Sequence, residues 1–247
     1  MKIALTGSRG FIGGRLREVL ESKGHEITEW DTVIDKDIHD FNITDEEYVI
    51  HLAAFADLRA SIDNAQEFWD NNVTPTTRIQ RMCYERHVPL IYASSSCIHN
   101  WAASPYGITK KVNEETAFPG QVGLRFSTVY GPNARESMLI GRLVSGNIKY
   151  LTNHTRDFIH VDDVISFILN LMDRDLRTVD PAYDIGTNQG VSVSELGKSV
   201  GYTDLPIETG DDCEADDNTL NIEPAKKLGW HPMLEVYDYI TKEQAKL

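Results

Sequence analysis

Tyr106 and Lys110 are the residues in this chain whose types and spacing point most directly to chemistry. They lie four positions apart in a helical pattern that opens at Pro105, so both sit on one helical face. A phenol ionises near pH 10 and is a poor base at neutral pH, but an ammonium beside it favours the phenolate. The pair is therefore equipped to take a proton from a hydroxyl or return one. A lone Tyr-x-x-x-Lys proves little, because about 0.4 such matches arise by accident in a chain of this composition. Position adds the weight. The motif occurs once, and it follows a strand-like run over 87–93 that is tipped by Ser94, Ser95 and Ser96. Hydroxyls at the carboxyl end of a parallel strand face the ligand crevice of an open α/β sheet. A polar strand end without a ligand would look the same.

Upstream elements must hold something for that pair to act on. Residues 1–6 read as a short strand, and Gly7-Ser-Arg-Gly10-Phe-Ile-Gly13 follows at once. Ile12, Leu16, Val19 and Leu20 then recur at helical spacing as far as Gly24. Strand, glycine turn and helix is the order of a phosphate cradle. Gly7 permits the sharp turn, Gly10 a close backbone approach, and Gly13 tight packing of helix on strand. A pyrophosphate would sit at the positive helix end, against Gly7, Gly10, Phe11, Ile12 and Gly13. A turn that only packs helix on strand would carry the same glycines, so the context carries the reading.

The next run, residues 25–31, reads as a second strand ending in Asp31, 18 positions after Gly13. A carboxylate roughly 20 residues on bonds the adenosine ribose and repels a 2′-phosphate. NAD is thus the expected cofactor, with NADP the lesser expectation kept open by Arg9. Residues 47–54 form a nearly continuous apolar strand, as in a parallel sheet covered on both faces. Its Leu52-Ala53-Ala54 end is small enough for a cofactor to pass. His51 has no second His at metal spacing and reads as a packed strand residue. A helix after Asn72 carries Ile79, Met82 and Cys83 on its apolar face.

Composition bounds the rest. A chain of 247 residues with 41% hydrophobic and 25% charged residues is one large globular domain or a domain with an appendage. No apolar run nears the roughly 20 residues that span a bilayer. The strand at the N-terminus leaves no room for a signal peptide, so no membrane association and a cytoplasmic location are expected. Cys83, Cys97 and Cys213 form no metal pattern, and no metal is expected. The net charge of −14 argues against nucleic acid as a partner.

These pieces together resemble an extended short-chain dehydrogenase/reductase of the NAD-dependent epimerase/dehydratase family. The matching stretches are Gly7-x-x-Gly10-x-x-Gly13, residues 49–54, Asn72-Val73, Ser94-Ser95-Ser96, Tyr106-x-x-x-Lys110 and residues 124–132. Arg156-Asp-Phe-Ile-His-Val-Asp-Asp-Val164, Tyr183-Asp-Ile-Gly186 and Leu228-Gly-Trp230 continue the series. The resemblance implies that Tyr106 is the catalytic base, and that Lys110 lowers its pKa and holds the nicotinamide ribose. It implies that Ser95 bonds the reacting oxygen, although Ser94 and Ser96 blur the register. Asp37 and Ile38 would neighbour the adenine, and Leu52, Ala53, Ala54, Asn72 and Phe126 would complete the cofactor site. Ser127 and Arg156 would meet substrate, Arg156 at a phosphate.

The expected architecture is a doubly wound parallel (Rossmann) α/β sheet with a small C-terminal substrate-binding part. Residues 1–128 would bind the dinucleotide. Residues 129–247 would mostly form the substrate part, with 156–186 returning to the Rossmann domain. The resemblance implies an NAD-dependent epimerase or dehydratase of a nucleotide sugar, working by transient hydride transfer, and a homodimer. An NAD(P)H-dependent reductase of a keto-sugar or small carbonyl is the nearest enzyme alternative, and a non-catalytic dinucleotide-sensing regulator the alternative of another class. Departures from the family pattern fall in the substrate half. Ser95 to Tyr106 is short at 11 positions, His99-Asn100 replaces Tyr-Gly, Ser127 replaces Asn, and the stretch from Pro132 to Arg156 is short. The tail over 201–247 holds 11 acids and 4 bases, and 208–217 holds six acids and no base. Such a run reads as a solvated loop.

Overall fold

The computed structural model describes residues 1–211 and 213–246, so Asp212 of the acidic run lies outside the described residues. The chain opens with β1 (Lys2–Thr6), α1 (Phe11–Ser22), β2 (Glu26–Trp30) and β3 (Tyr48–His51). It continues with α2 (Leu58–Asp63), α3 (Ala65–Asn72), α4 (Thr74–Glu85), β4 (Leu90–Ser95), α5 (Pro105–Glu115) and β5 (Gln121–Phe126). Then come β6 (Thr128–Tyr130), α6 (Leu139–Ser145), β7 (Leu151–Thr152), β8 (Thr155–His160) and α7 (Val161–Met172). The last elements are β9 (Ala182–Ile185), β10 (Gly190–Ser192), α8 (Val193–Ser199), β11 (Ile207–Glu208), α9 (Glu223–Lys226) and α10 (Val236–Gln244).

The main sheet has six strands in the order β2-β1-β3-β4-β5-β9. The pairs β1–β2, β1–β3 and β3–β4 are parallel, with Leu5 opposite both Glu29 and Ile50. Parallel pairing needs crossover connections, and the alternation of strands with helices supplies them. The strand order reverses between β1 and β3, which is where open α/β sheets take their ligands. The expected Rossmann-type α/β fold is thus observed.

The chain divides into two compact units, Met1–Arg125 with Phe167–Tyr183, and Phe126–Ser166 with Asp184–Leu247. The segment that returns to the first unit is therefore 167–183, shorter than the expected 156–186. The physical reason lies in β8. It pairs with β6 and β10 in a separate three-stranded sheet and not with the main sheet.

In the first unit, Leu16 and Leu20 of α1 are fully buried, and β3 is buried at every position, as its unbroken apolar run requires. Ala4, Phe41, Val49, Ile79, Cys83 and Leu90 form one core cluster, with Met82 packed against it. Ile79 and Met82 are thus core residues. In the second unit, Tyr130, Leu143, Leu151, Phe158, Leu196 and Ile240 form a core of their own.

That second core is closed by one carboxylate. Asp157 on β8 is fully buried. Its Oδ1 accepts from the Thr187 N–H at 2.7 Å and the Thr187 hydroxyl at 2.6 Å, and its Oδ2 from the N–H groups of Asn188 at 3.1 Å and Leu220 at 3.2 Å. One side chain thereby satisfies donors in two distant loops, which the backbone itself leaves unpaired. Asp157→Ala should destabilise the protein by about 3–5 kcal/mol, since each buried donor left unpaired costs roughly 1–3 kcal/mol. Urea unfolding measures this, and a loss below about 1 kcal/mol would show that the loops close without Asp157.

Candidate active site

The cradle begins where β1 ends. Gly7 has φ +70°, and its backbone is so close to the end of β3 that a Cβ would lie 2.8 Å from the Ala53 nitrogen. The Gly7 N–H bonds the Trp30 carbonyl oxygen at 2.8 Å, which ties the turn to the end of β2. A Cβ on Gly13 would come within 1.9 Å of the Gly7 carbonyl oxygen, so helix and turn can meet only with glycine there. A Cβ on Gly10 would touch only that same oxygen, at 3.2 Å, and would fill the cradle. No side chain caps α1 and no acid stands in its first turn, where Phe11 and Ile12 lie. These features fit an anion at the helix start.

Asp31 follows β2, and its carboxylate is held from both sides. Oδ2 accepts from the Arg9 N–H at 2.9 Å and Oδ1 from the Val33 N–H at 3.0 Å. A carboxylate has about four lone-pair sites, so capacity remains for two ribose hydroxyls. The Arg9 guanidinium, which kept a 2′-phosphate in play, instead bonds Glu29 at 2.8 Å. Asp37 accepts from the His39 N–H at 2.9 Å and from its ring at 2.7 Å, which holds the Asp37 carboxyl below the usual carboxylate range. Ile38 beside it is buried. The cradle, the small Leu52-Ala53-Ala54 strand end and Asp31 together fit NAD.

Two buried polar residues fix this geometry. Thr6 and Thr76 flank His51, with oxygens 2.6 Å and 2.8 Å from its ring nitrogens. Burial first, and the Lys110 charge second, pull the His51 pKa down to about 3. His51 is a neutral structural bridge, as its isolation in the sequence indicates. Asn72 is spent on the backbone of Phe55, accepting from its N–H at 2.8 Å and donating to its oxygen at 2.9 Å, and it also reaches Thr109 at 3.3 Å. Its amide positions the loop after β3, and these contacts occupy it where the family resemblance implies a cofactor ligand.

At the end of β4 the register of the serines resolves. Ser94 donates to Glu114 at 2.6 Å, and Glu114 in turn grips Arg125 at 2.9 and 2.7 Å. Ser95 acts on the Tyr106 phenol and favours its ionised form. The short connection between them is a 3-10 segment, Ser96–Ala103, with a kink at Asn100. Ser104 then caps α5 through the Gly107 N–H at 3.0 Å. Gly107 admits the Trp101 carbonyl, which would lie 2.6 Å from a Cβ there. Eleven positions therefore suffice to return the chain to Ser95.

Tyr106 and Lys110 are both buried, and the Lys110 Nζ lies 5.6 Å from the Tyr106 ring centroid. Nζ donates to the Ala93 carbonyl oxygen at 3.0 Å. Burial governs both groups. It raises the Tyr106 phenol well above its usual value, with Ser95 opposing, and pulls the Lys110 ammonium down to about 8. In the protein alone, loss of water around the phenol is the largest cause of the rise at Tyr106. Cys97, two residues past Ser95, interacts electrostatically with both Tyr106 and Lys110, and its N–H bonds the Ser95 Oγ at 3.2 Å. The sequence offers one signal for it, its proximity to Ser95 on a tight turn.

The remaining expected residues lie in the second unit. Phe126 ends β5. Ser127 is buried, and its Oγ has no hydrogen-bond partner, as a group reserved for a ligand would. Arg156 is already engaged: Nη2 bonds Glu214 at 2.7 Å, and Nη1 bonds the carbonyl oxygens of Ala215 at 2.7 Å and Thr155 at 3.0 Å. The acidic run is thus only partly solvated, because Glu214 is half-buried on Arg156 while Asp211, Asp216 and Asp217 are exposed.

The depressed Lys110 pKa has a consequence for stability. The unfolded lysine ionises near 10.5 and the folded one near 8, so between these values the unfolded chain binds more protons and stability rises with pH. Below pH 8 the penalty is complete, at about 3 kcal/mol. Tyr106 acts in the opposite sense above pH 10, since its folded pKa is raised. Lys110→Met should therefore flatten the rise in stability between pH 8 and 10, measured by urea unfolding. An unchanged slope would mean that Lys110 stays hydrated.

Residues 3–186 match the model of the NAD dependent epimerase/dehydratase family. Protein CapI of Staphylococcus aureus is 27% identical over 325 aligned positions that cover 98% of this chain and 97% of CapI. A putative UDP-glucose 4-epimerase of Methanocaldococcus jannaschii is 27% identical over 297 positions, covering 97% and 96%. Among solved structures, MoeE5 in complex with UDP-glucuronic acid and NAD superposes with a TM-score of 0.86 at 25% identity, covering 100% of this chain and 99% of that one. End-to-end coverage by a 247-residue chain leaves about 80 of the 325 CapI positions without a counterpart here. Matching glycine turn, acid-ended second strand, serine-tipped strand and Tyr106/Lys110 helix, the chain belongs to the NAD dependent epimerase/dehydratase family.

Proposed function

We propose that this protein is an NAD-dependent epimerase or dehydratase that acts on a nucleotide sugar by transient hydride transfer. The observation that carries the reading is the buried pair Tyr106 and Lys110 on one helical face, with the Lys110 Nζ 5.6 Å from the Tyr106 ring centroid and Ser95 acting on the phenol. The structural relative holds NAD together with a nucleotide sugar. NAD, when bound, would supply a hydride acceptor with a positively charged ring. The chain's own residues do the rest. Ser95 holds the reacting hydroxyl oxygen in place, and Tyr106 takes its proton. Lys110, with its ammonium fixed on the Ala93 oxygen, stabilises the phenolate that Tyr106 must be before it accepts that proton and becomes a phenol. Ser127, buried with an unpartnered hydroxyl, is assigned to the substrate. Gly7 to Gly13, Asp31, Asp37, Ile38 and the 52–54 strand end are assigned to the cofactor.

A reductase of a small carbonyl is the second reading. It is favoured by the roughly 80 positions missing relative to CapI and by an Arg156 already paired with Glu214. We further assign a homodimer, supported by the exposed apolar side chains Trp69, Tyr84 and Ile108 on α3, α4 and α5. Light scattering that returns a monomer mass would remove that assignment.

Tyr106→Phe should lower turnover about 10²–10⁴-fold and leave NAD affinity and the melting temperature unchanged. Wild-type turnover in that variant would end the catalytic assignment. Asp31→Ala should weaken NAD and narrow its advantage over NADP in calorimetry, whereas tighter NADP binding to the wild type would contradict the Asp31 role.

A further inference from the structure

Two carboxylates stand at the end of β2, and one arginine of the glycine turn touches both. Glu29 and Asp31 are two positions apart in extended backbone, with Asp31 at φ −163° and ψ 142°, so their side chains leave one face of the strand. Arg9 lies between Gly7 and Gly10. Its backbone N–H donates to the Asp31 Oδ2 at 2.9 Å, while its guanidinium turns to Glu29, Nη2 to Oε1 at 2.8 Å. Arg17 of α1 brings Nη1 to 3.6 Å from the same Oε1. The Glu29 side chain is 18% exposed, so the group is largely sheltered from water. Glu29 Oε2 and Arg17 Nε are buried without a hydrogen-bond partner. One carboxylate thus holds two guanidiniums, and without its charge two cations would share the site with no anion between them. The ammonium of Lys36 is occupied elsewhere, over the Trp30 ring at 5.9 Å from its centroid.

A 2′-phosphate on the adenosine ribose adds about 1.5 to 2 negative charges at neutral pH. Asp31 opposes it by offering acceptors suited to hydroxyls and by repelling an anion. That opposition is incomplete while an arginine stands on the same turn. A guanidinium grips phosphate oxygens two at a time and can outweigh one carboxylate. Glu29 removes this outlet, because the ion pair neutralises Arg9 and points its fork at the protein's own carboxylate. We infer that Glu29 is a specificity-determining residue for the cofactor: by holding the Arg9 guanidinium it denies a 2′-phosphate its counter-charge and keeps the chain on NAD. The inference rests on the assignment of the adenosine ribose to Asp31. Glu29 acts through Arg9 and is a positioning residue. The two carboxylates divide the task, Asp31 receiving the hydroxyls and Glu29 withholding the cation.

Calorimetry on the full chain with NAD, NADP and the fragment 2′,5′-ADP tests this. Glu29→Gln keeps the side-chain size and removes the charge. It should tighten NADP and 2′,5′-ADP about tenfold and leave NAD within about twofold, with a gain that shrinks at high salt. Glu29→Asp, which keeps the charge, should retain the preference for NAD. Adding Arg9→Gln to Glu29→Gln should erase the gain, and melting temperatures confirm that each variant is folded. Arg9→Gln alone leaves Glu29 in place and gives a second reading: NADP affinity should stay as in the wild type, because Arg9 is already withheld. An unchanged ratio of NADP to NAD affinity in Glu29→Gln, an equal gain for NAD, or a gain that survives loss of Arg9 would overturn the inference. So would a loss of NADP affinity in Arg9→Gln alone. The ribose assignment fails separately. NAD affinity unmoved by Asp31→Ala would remove that assignment, whereas an unchanged ratio in Glu29→Gln with Asp31-dependent NAD binding would remove only the role of Glu29.

Discussion

Lys110 is 2% exposed, with its ammonium on the Ala93 carbonyl oxygen and its stem beside the Tyr106 ring. Holding a lysine there costs about 3 kcal/mol at neutral pH, so the surrounding structure has to supply that energy. Much of the first unit is arranged to do so. The Thr6–His51–Thr76 bridge is neutral, so it adds no second buried charge near the lysine. Glu114, one turn further along α5, favours the lysine's charged form and is itself restrained by Ser94 and Arg125. The Asn72 amide and the Ser104 cap fix the loop and helix start around Tyr106. A site with a lysine that ionises near 8 and a phenol pushed upward is poised, because a positive charge brought next to it changes which group holds the proton.

The second unit is organised by two charged residues adjacent in sequence with opposite surroundings. Asp157 is fully buried and satisfied by four donors, and it pins the loops at 187–188 and 220. Arg156, its neighbour on the strand, points to the other side and meets the tail loop through Glu214. Alternation along β8 thus separates a fully buried carboxylate from a guanidinium turned to the tail loop.

The parts of the molecule legible from sequence are those set by short-range patterns. The turn at Gly7 to Gly13 follows from glycine spacing between a strand and a helix, and its close contacts bear that spacing out. The Tyr106/Lys110 face follows from a spacing of four on one helix. The acid at Asp31 follows from the strand that precedes it. What escaped the sequence depends on distant partners. Nothing local says that Glu214 reaches Arg156, nor that Asp157 collects donors from two loops. The three serines carry no local mark that sends Ser94 to Glu114 and Ser95 to Tyr106. The direction of the Tyr106 shift also escaped, because a count of nearby charges says nothing about how much water burial removes. The extent of the segment returning to the first unit depended on where β8 found its pairing partners.

The account as a whole stands on hydride leaving the substrate and coming back. Incubating the purified protein with a panel of nucleotide sugars labelled with deuterium at each ring carbon in turn tests that directly, with products followed by NMR and reduced nicotinamide by its absorbance. The account predicts an isomerised or dehydrated sugar that has kept the label through the reaction, with no net reduced nicotinamide consumed or released. A product formed only with stoichiometric consumption of added NADH, its new hydrogen drawn from that cofactor, would contradict it.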